Sequence, residues 1–106
     1  MKNYILNGKE AIPVDDILEW AKWFGTANRI VRSDMINGVH ISTVFLGVDH
    51  GYSFGEPIDP VLFETMIFGG DNDGYQDRYS TWSEAEQGHE KAIRIVNGGN
   101  LIESSL

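Results

Sequence analysis

Residues 29–48 read RIVRSDMINGVHISTVFLGV and residues 62–68 read LFETMIF, and these two stretches decide the fold. The dipeptide Asn37-Gly38 stands between two strand-like segments, and both residues tolerate the positive φ of a type I′ hairpin turn. A two-residue turn at this point fixes which residues of the two strands face each other. The predicted partners are Ile36 with Val39, Asp34 with Ile41, Arg32 with Thr43, Ile30 with Phe45, Met35 with His40, Ser33 with Ser42, and Val31 with Val44.

Two segments with helical spacing of apolar residues flank this sheet. The first is predicted to open with Pro13 and the acidic pair at 15–16 and to end at Gly25, since proline and carboxylates suit a helix N-terminus. The second opens with the capping-box pair Thr81 and Glu84 and ends at the Asn97-Gly98-Gly99 stop signal.

The pattern predicts an α+β fold, an antiparallel β-meander of four to five strands with two helices packed on one face. Residues 1–100 are predicted to form a single domain. Residues 101–106 are predicted to be a C-terminal tail that either frays or adds an edge strand in an oligomer.

Composition excludes several classes of function. The 106 residues contain no cysteine, so disulfides, thiolate zinc sites and cysteine nucleophiles are excluded, and a reducing cytoplasm is expected. The N-terminal MKNYILNGKEAIPVDD lacks an apolar signal region, and the sequence has no apolar run of about 18 residues, so neither export nor membrane insertion is expected. Sixteen acidic against eight basic residues give a net charge of −8, which disfavours binding to a nucleic acid backbone.

Both faces of the predicted hairpin carry apolar residues. A sheet that is solvated on one side shows cleaner alternation of polar and apolar residues. The second face is therefore expected to meet a helix, a loop or another subunit, and this predicts a homo-dimer or a higher oligomer.

The segment 49–60, DHGYSFGEPIDP, is longer than most hairpin loops and is the first candidate for a binding element. Aromatic side chains in such a loop can stack on a planar ligand or anchor a protein interface. They can equally fold back and seal the edge of the sheet. The candidate binding residues are Asp49, His50, Tyr52, Phe54 and Glu56.

Three further polar residues are candidates for a pocket: His40, Glu64 and His89. Glu64 lies among apolar neighbours, so it is expected to pair with Arg29, Arg32 or Arg78, to be exposed near a sheet edge, or to face a pocket. His89 points at the sheet from the second helix, where a hydrogen-bonded core histidine is the commoner role. The acidic turn at 71–77 departs from the calcium-loop pattern, and neither a metal nor a cofactor is predicted.

Four segments carry a resemblance: VDDILEWAKWF at 14–24, STVFLGVDH at 42–50, LFETMIFGG at 62–70 and RYSTWSEAEQGH at 78–89. In this order they resemble a family of small bacteriophage and prophage proteins of uncharacterised function. The resemblance implies expression in the cytoplasm of an infected bacterium, where small acidic proteins commonly modulate host or defence machinery. It assigns no catalytic residue.

Three functions remain open from the sequence. The first is a non-enzymatic interaction protein that binds a host or defence protein or sequesters a small ligand. The second is a structural or assembly component that acts through sheet-mediated oligomerisation. The third is a small hydrolase that uses two or more of His40, Asp49, His50, Glu64 and His89, which requires those side chains to meet in one cleft.

Overall fold

The computed structural model describes residues 2–51 and 59–98. In this part of the chain the fold is α+β, as predicted, with a two-stranded and a four-stranded antiparallel sheet. No helix within it is long and apolar enough to cross a bilayer. The elements are β1 (Asn3–Asn7), β2 (Glu10–Val14), α1 (Ile17–Thr26), β3 (Ile30–Ile36), β4 (Val39–Phe45), β5 (Phe63–Phe68), β6 (Gln76–Tyr79) and α2 (Trp82–Val96).

The four-stranded sheet is a meander in the order β3-β4-β5-β6. Its first hairpin turns at Asn37 and Gly38, whose φ angles of 50° and 82° confirm the turn with positive φ at both positions. The predicted partners from Ile36 with Val39 to Arg32 with Thr43 are confirmed. The two-residue turn at Asn37 and Gly38 therefore fixes most of the hairpin register.

The predicted register is wrong at the start of β3. Ile30 pairs with Val44 instead of Phe45, because the register shifts between Ile30 and Arg32. A β-bulge of this kind inserts one extra residue and redirects its side chain. Val31 packs on the core around Phe45, while Ile30 is left 54% exposed. Burial of Val31 explains why the bulge is favourable.

Helix α2 covers one face of this sheet. Its N-terminus carries the predicted capping box, in which Thr81 and Glu84 each bind the other's backbone N–H, and Asn97 caps its C-terminus. The buried side chains beneath it form two apolar clusters. The first contains Phe45, Leu62, Phe63 and Ala85, and the second contains Ile41, Ile67 and Ala92.

Gly88 of α2 makes room for Tyr79 of β6. A Cβ atom at Gly88 would overlap the ring and the hydroxyl of Tyr79. The glycine thus lets the aromatic ring lie directly against the helix backbone. The Tyr79 hydroxyl is buried without a hydrogen-bond partner in the described part of the chain, and burial raises its pKa to about 12.

The hairpin β1–β2 and helix α1 form a second unit at one end of the sheet. Pro13 lies in β2 and not in the helix, which begins at Ile17 after the N-cap Asp16. Helix α1 packs chiefly on this hairpin, whereas α2 alone lies across the four-stranded sheet. Residue Trp23 reaches the first apolar cluster, with its ring edge-on to Phe45 at 5.9 Å.

One tryptophan joins this unit to the main sheet. The Nε1–H of Trp20 donates to the carbonyl oxygens of Tyr4 and Gly47, each at 3.0 Å. Gly47 has a φ of +79°, and a Cβ there would lie 2.8 Å from a ring atom of Phe24. The joint therefore depends on a glycine for both its backbone conformation and its close packing.

Candidate functional site

The face of the four-stranded sheet opposite α2 is bare in the described part of the chain. Alternate residues of β4 and β5 are buried under α2, and the residues between them point the other way. We call this surface the helix-free face. It comprises Ile30, Ser33, Met35, His40, Ser42, Val44, Glu64, Met66, Phe68, Gln76 and Arg78.

An apolar row crosses one end of the helix-free face. Met35 pairs with His40, and His40 pairs with Phe68, so the three side chains stand side by side on three strands. Met35 is 68% and Phe68 46% exposed. The imidazole of His40 stacks on Phe68, with ring centroids 5.8 Å apart, and its Nε2 is 2.8 Å from the Ser33 hydroxyl. The sheet register therefore gathers apolar surface that the sequence spreads over 34 positions.

The other end of the helix-free face carries an ion pair. Arg78 Nε donates to Glu64 Oε2 at 2.9 Å, and the amide of Gln76 binds the same oxygen. Of the three arginines considered as partners of Glu64, Arg78 is the one that pairs with it. Among the residues of the helix-free face, Glu64 is the only acidic residue and Arg78 is the only arginine. Their charges cancel, so the face is close to electrically neutral.

A buried polar layer lies on the opposite side of the sheet. The Nε2 of His89 is 2.7 Å from Asp34 Oδ2, and its Nδ1 is 2.7 Å from Thr43 Oγ1. Thr43 Oγ1 is in turn 2.6 Å from Thr65 Oγ1. We call these four residues the polar chain. It separates the two apolar clusters, because Thr43 pairs with Thr65 between the pairs Ile41–Ile67 and Phe45–Phe63.

The chemistry of Asp34 fixes the direction of the hydrogen bond at its own end of the polar chain, and the other two directions follow for a neutral imidazole. An ionised carboxylate only accepts, so His89 donates from Nε2. In the neutral imidazole Nδ1 then accepts from the Thr43 hydroxyl, and Thr43 accepts from Thr65. The hydrogen bond from His89, supported by the Arg32 charge, lowers the pKa of Asp34.

The outer end of the polar chain is tied to α2. Arg32 Nε lies 3.0 Å from Asp34, and the same guanidinium pairs with Glu90 of the helix. The Glu90 carboxylate, in a hydrogen bond with Arg32, raises the pKa of that guanidinium. These exposed pairs contribute little stability individually but complete the link from edge strand to helix.

The polar chain resembles an Asp-His-hydroxyl catalytic triad in composition but not in accessibility. Thr43, Thr65 and His89 are fully buried, so no substrate can reach the Thr43 hydroxyl. Every hydrogen-bonding atom of the imidazole is already satisfied. We assign the polar chain a structural role. The sequence predicted that His89 faces the sheet but did not predict its partners. The only sequence signal for the two hydroxyl groups was a threonine near the centre of each apolar run, Thr43 in 39–48 and Thr65 in 62–68.

The candidate loop residues are only partly within the described ranges. The Asp49 carboxylate accepts from the backbone N–H groups of Gly51 at 2.7 Å and Val61 at 2.9 Å, so it holds the two ends of the loop together. His50 is exposed, and its backbone N–H donates to the Val61 carbonyl. Tyr52, Phe54 and Glu56 lie outside the described residues.

The three candidate pocket residues do not converge. His40 and Glu64 stand on the helix-free face, whereas His89 is buried on the α2 side of the sheet. Asp49 is occupied by backbone groups, so these residues supply no acid–base pair in one cleft. Within residues 2–51 and 59–98, no three His, Asp or Glu side chains cluster as a metal site would require.

A cleft that sequence reasoning did not anticipate lies between the β1–β2 hairpin and the start of α2. Its volume is about 320 Å³, within the range of small-molecule sites. Aromatic walls come from Tyr4, Phe63 and Trp82, and the Lys9 ammonium lies 5.9 Å from the Trp82 ring centroid. The cleft forms only because the β1–β2 hairpin packs against the end of the four-stranded sheet. No local sequence pattern predicts that packing.

Comparison with known proteins finds no matching family model, no similar curated protein and no similar solved structure. Function must therefore be argued from these surfaces alone.

Proposed function

We propose that this protein is a non-enzymatic interaction protein that binds a partner protein through the helix-free face. The observation that carries the proposal is the row of Met35, His40 and Phe68, in which two large exposed apolar side chains on β3 and β5 flank the His40 ring on β4. Scattered exposed apolar residues are normal on protein surfaces, but a contiguous row on a sheet is typical of a contact surface.

The energetic gain from covering this row is substantial. Full burial of a Met or Phe side chain contributes about 1.5–3 kcal/mol, so covering the exposed parts of Met35 and Phe68 contributes about 2–3 kcal/mol together. The ion pair at the other end adds no uncompensated charge to desolvate. A partner with an apolar surface therefore gains from contact with the row of Met35, His40 and Phe68, and the pair of Glu64 and Arg78 loses hydration only where the contact covers it.

The proposed setting is the bacterial cytoplasm, with a host or defence protein as partner, which is the setting implied by the resemblance to small phage proteins. The absence of cysteine and the net charge of −8 support an intracellular protein that does not bind nucleic acid or membranes. The fully buried polar chain supports a binding function over catalysis, since its one hydroxyl–imidazole pair is closed to substrate.

The proposal is tested by comparing four baits in a bacterial lysate that also contains an untagged copy of the chain. Wild type is compared with Met35→Glu and Phe68→Glu on the helix-free face and with Leu18→Glu, a control on α1 that is 77% exposed. We expect at least one bound species that wild type and the control retain and both face variants lose, measured by quantitative mass spectrometry. If no bound species depends on the face, the proposal fails.

A second function, sequestration of a small ligand, is favoured by the cleft beside Trp82. Its aromatic walls and the nearby Lys9 suit a planar ring with an anionic group. Native mass spectrometry of protein purified from bacteria is the test, with an Ala11→Phe variant that partly fills the cleft from a half-buried position in its lining. A ligand mass lost in that variant supports sequestration, whereas bare protein in both samples removes it.

A further inference from the structure

We propose that a second copy of this chain occupies the helix-free face, so that two four-stranded sheets pack face to face with an α2 helix on each outer side. This inference rests on the proposed contact through the helix-free face and names a second copy, in place of a host or defence protein, as the partner there. Three features of the structure support it: the charge distribution, the state of the sheet edge and the shape of the face.

The charge distribution lets another copy approach this face with little repulsion. The whole chain carries a net charge of −8, so two copies repel each other through most approaches. On the helix-free face the one carboxylate among the described residues, Glu64, is paired with Arg78, so this face adds no net charge to the contact. Two copies that meet through this face keep their remaining acidic surfaces apart.

The β3 edge of the four-stranded sheet disfavours the alternative of strand addition at that edge. Edge strand β3 contains the bulge between Ile30 and Arg32, which interrupts the regular ladder that an added strand would need. Its Arg32 and Asp34 side chains are tied to α2 through Glu90 and His89. Association through the face leaves this edge undisturbed.

The shape of the face suits an identical partner. Twisted sheets pack face to face at about 10 Å, as in a β-sandwich. Five of the eleven residues of the helix-free face are apolar: Ile30, Met35, Val44, Met66 and Phe68. A second copy supplies a surface of the same twist and the same neutral charge. A two-fold arrangement also closes after two subunits, since each copy uses its only helix-free face.

The size of the face sets the expected affinity. Four strands about 4.8 Å apart and about six residues of about 3.3 Å rise give a face of roughly 20 by 20 Å, or about 400 Å² per copy. Stable interfaces bury about 800 Å² per partner. We therefore expect a weak dimer that is populated at high micromolar to millimolar concentration.

Sedimentation equilibrium over a concentration series tests the inference at ~0.1 M and ~1 M NaCl, where the Debye length falls from about 10 Å to about 3 Å. We expect a monomer–dimer equilibrium that tightens threefold or more in high salt, because the apolar contact persists while repulsion is screened. Phe68→Glu and Met35→Glu are expected to weaken association tenfold or more, and Leu18→Glu to leave it unchanged. Circular dichroism and thermal melting confirm that each variant folds.

Two results overturn the inference. One is a monomer at all concentrations and both salt conditions. The other is a dimer that weakens in high salt or that survives both face variants, because it then uses a different surface. If a monomeric chain still shows face-dependent capture of another protein in the lysate experiment, the second copy is excluded while the proposed function stands; if the lysate experiment also fails, both fall.

Discussion

Replacement of Thr43 by valine tests the buried polar chain at its centre. The Thr43 hydroxyl donates to His89 Nδ1 at 2.7 Å and accepts from Thr65 at 2.6 Å, in a site with no solvent access. Thr43→Val keeps the shape of the side chain and removes both bonds. The imidazole then has a buried acceptor without a donor, and Thr65 has a buried donor without an acceptor.

The expected cost of Thr43→Val follows from these two orphaned groups. An unsatisfied buried polar group costs about 1–3 kcal/mol, and two such groups cost about 2–6 kcal/mol. The added methyl group returns about 1 kcal/mol through apolar burial. We expect a loss of about 1–5 kcal/mol in the free energy of unfolding, which lowers Tm by about 5–20 °C for a domain of this size.

Urea denaturation of Thr43→Val, Thr65→Val and the double variant measures this loss and the coupling between the two hydroxyls. We expect a coupling energy of about 1 kcal/mol, since either single variant already breaks the shared hydrogen bond. Long-range ¹H–¹⁵N NMR of wild type is expected to show the proton of His89 on Nε2. A loss below about 0.5 kcal/mol in Thr43→Val, or a proton on Nδ1 of the neutral ring, would refute the assigned hydrogen-bond directions.

Three further predictions concern neighbouring sites. Gly88→Ala is expected to cost more than about 2 kcal/mol in urea denaturation, because its Cβ overlaps the half-buried Tyr79 ring, whereas Gly25→Ala, which meets open space, is expected to have little effect. The Tyr79 pKa is raised to about 12, so the neutral hydroxyl contributes fully to stability below the ordinary pKa of 10, and this contribution is lost as pH rises from 10 to 12. In alkaline melting curves, Tyr79→Phe should therefore lose less stability than wild type over this range. The Asp34 pKa is lowered, so the carboxylate contributes to folding stability above pH 3.8, and this contribution is lost as pH falls through the folded-state pKa. Asp34→Asn should abolish that part of the acid dependence of stability, and an unchanged acid transition in the variant would contradict this assignment.

Local signals in the sequence predicted much of the fold because their physics is local. Asn37-Gly38 supplies the two positive φ angles that a tight turn needs, so the turn and the register next to it follow from two residues. The capping box of Thr81 with Glu84 fixed the start of α2 in the same way. Prediction failed where burial at a distance decides the geometry, as at the bulge that turns Val31 to the core.

The candidate surfaces were harder to predict because they depend on partners far apart in sequence. The polar chain requires Thr43 to lie beside Thr65, and the connection between β4 and β5 is too long for any turn signal to fix that pairing. The helix-free face was expected to be partly apolar, but Phe68 joins Met35 there only through the same pairing. The cleft beside Trp82 depends on the docking of the hairpin.

The polar chain also explains how a small core selects one register of β5 against β4. A shift of β5 along β4 by two residues keeps apolar residues on the same face but separates Thr65 from Thr43 and places a hydroxyl among apolar side chains. We infer that the polar layer fixes the register of the two strands that build the helix-free face. The surface proposed to bind a partner is thereby linked to the buried layer on the other side of the sheet.

Site-specific photo-crosslinking in living bacteria tests the central claim, contact through the helix-free face, most directly. A photoreactive phenylalanine derivative is placed at position 35 on that face or at position 18 on α1, both highly exposed in the isolated chain. The account predicts a discrete crosslinked product, either a second copy or another protein, from position 35 but not from position 18. Equal products from both positions, or none from position 35, would contradict it.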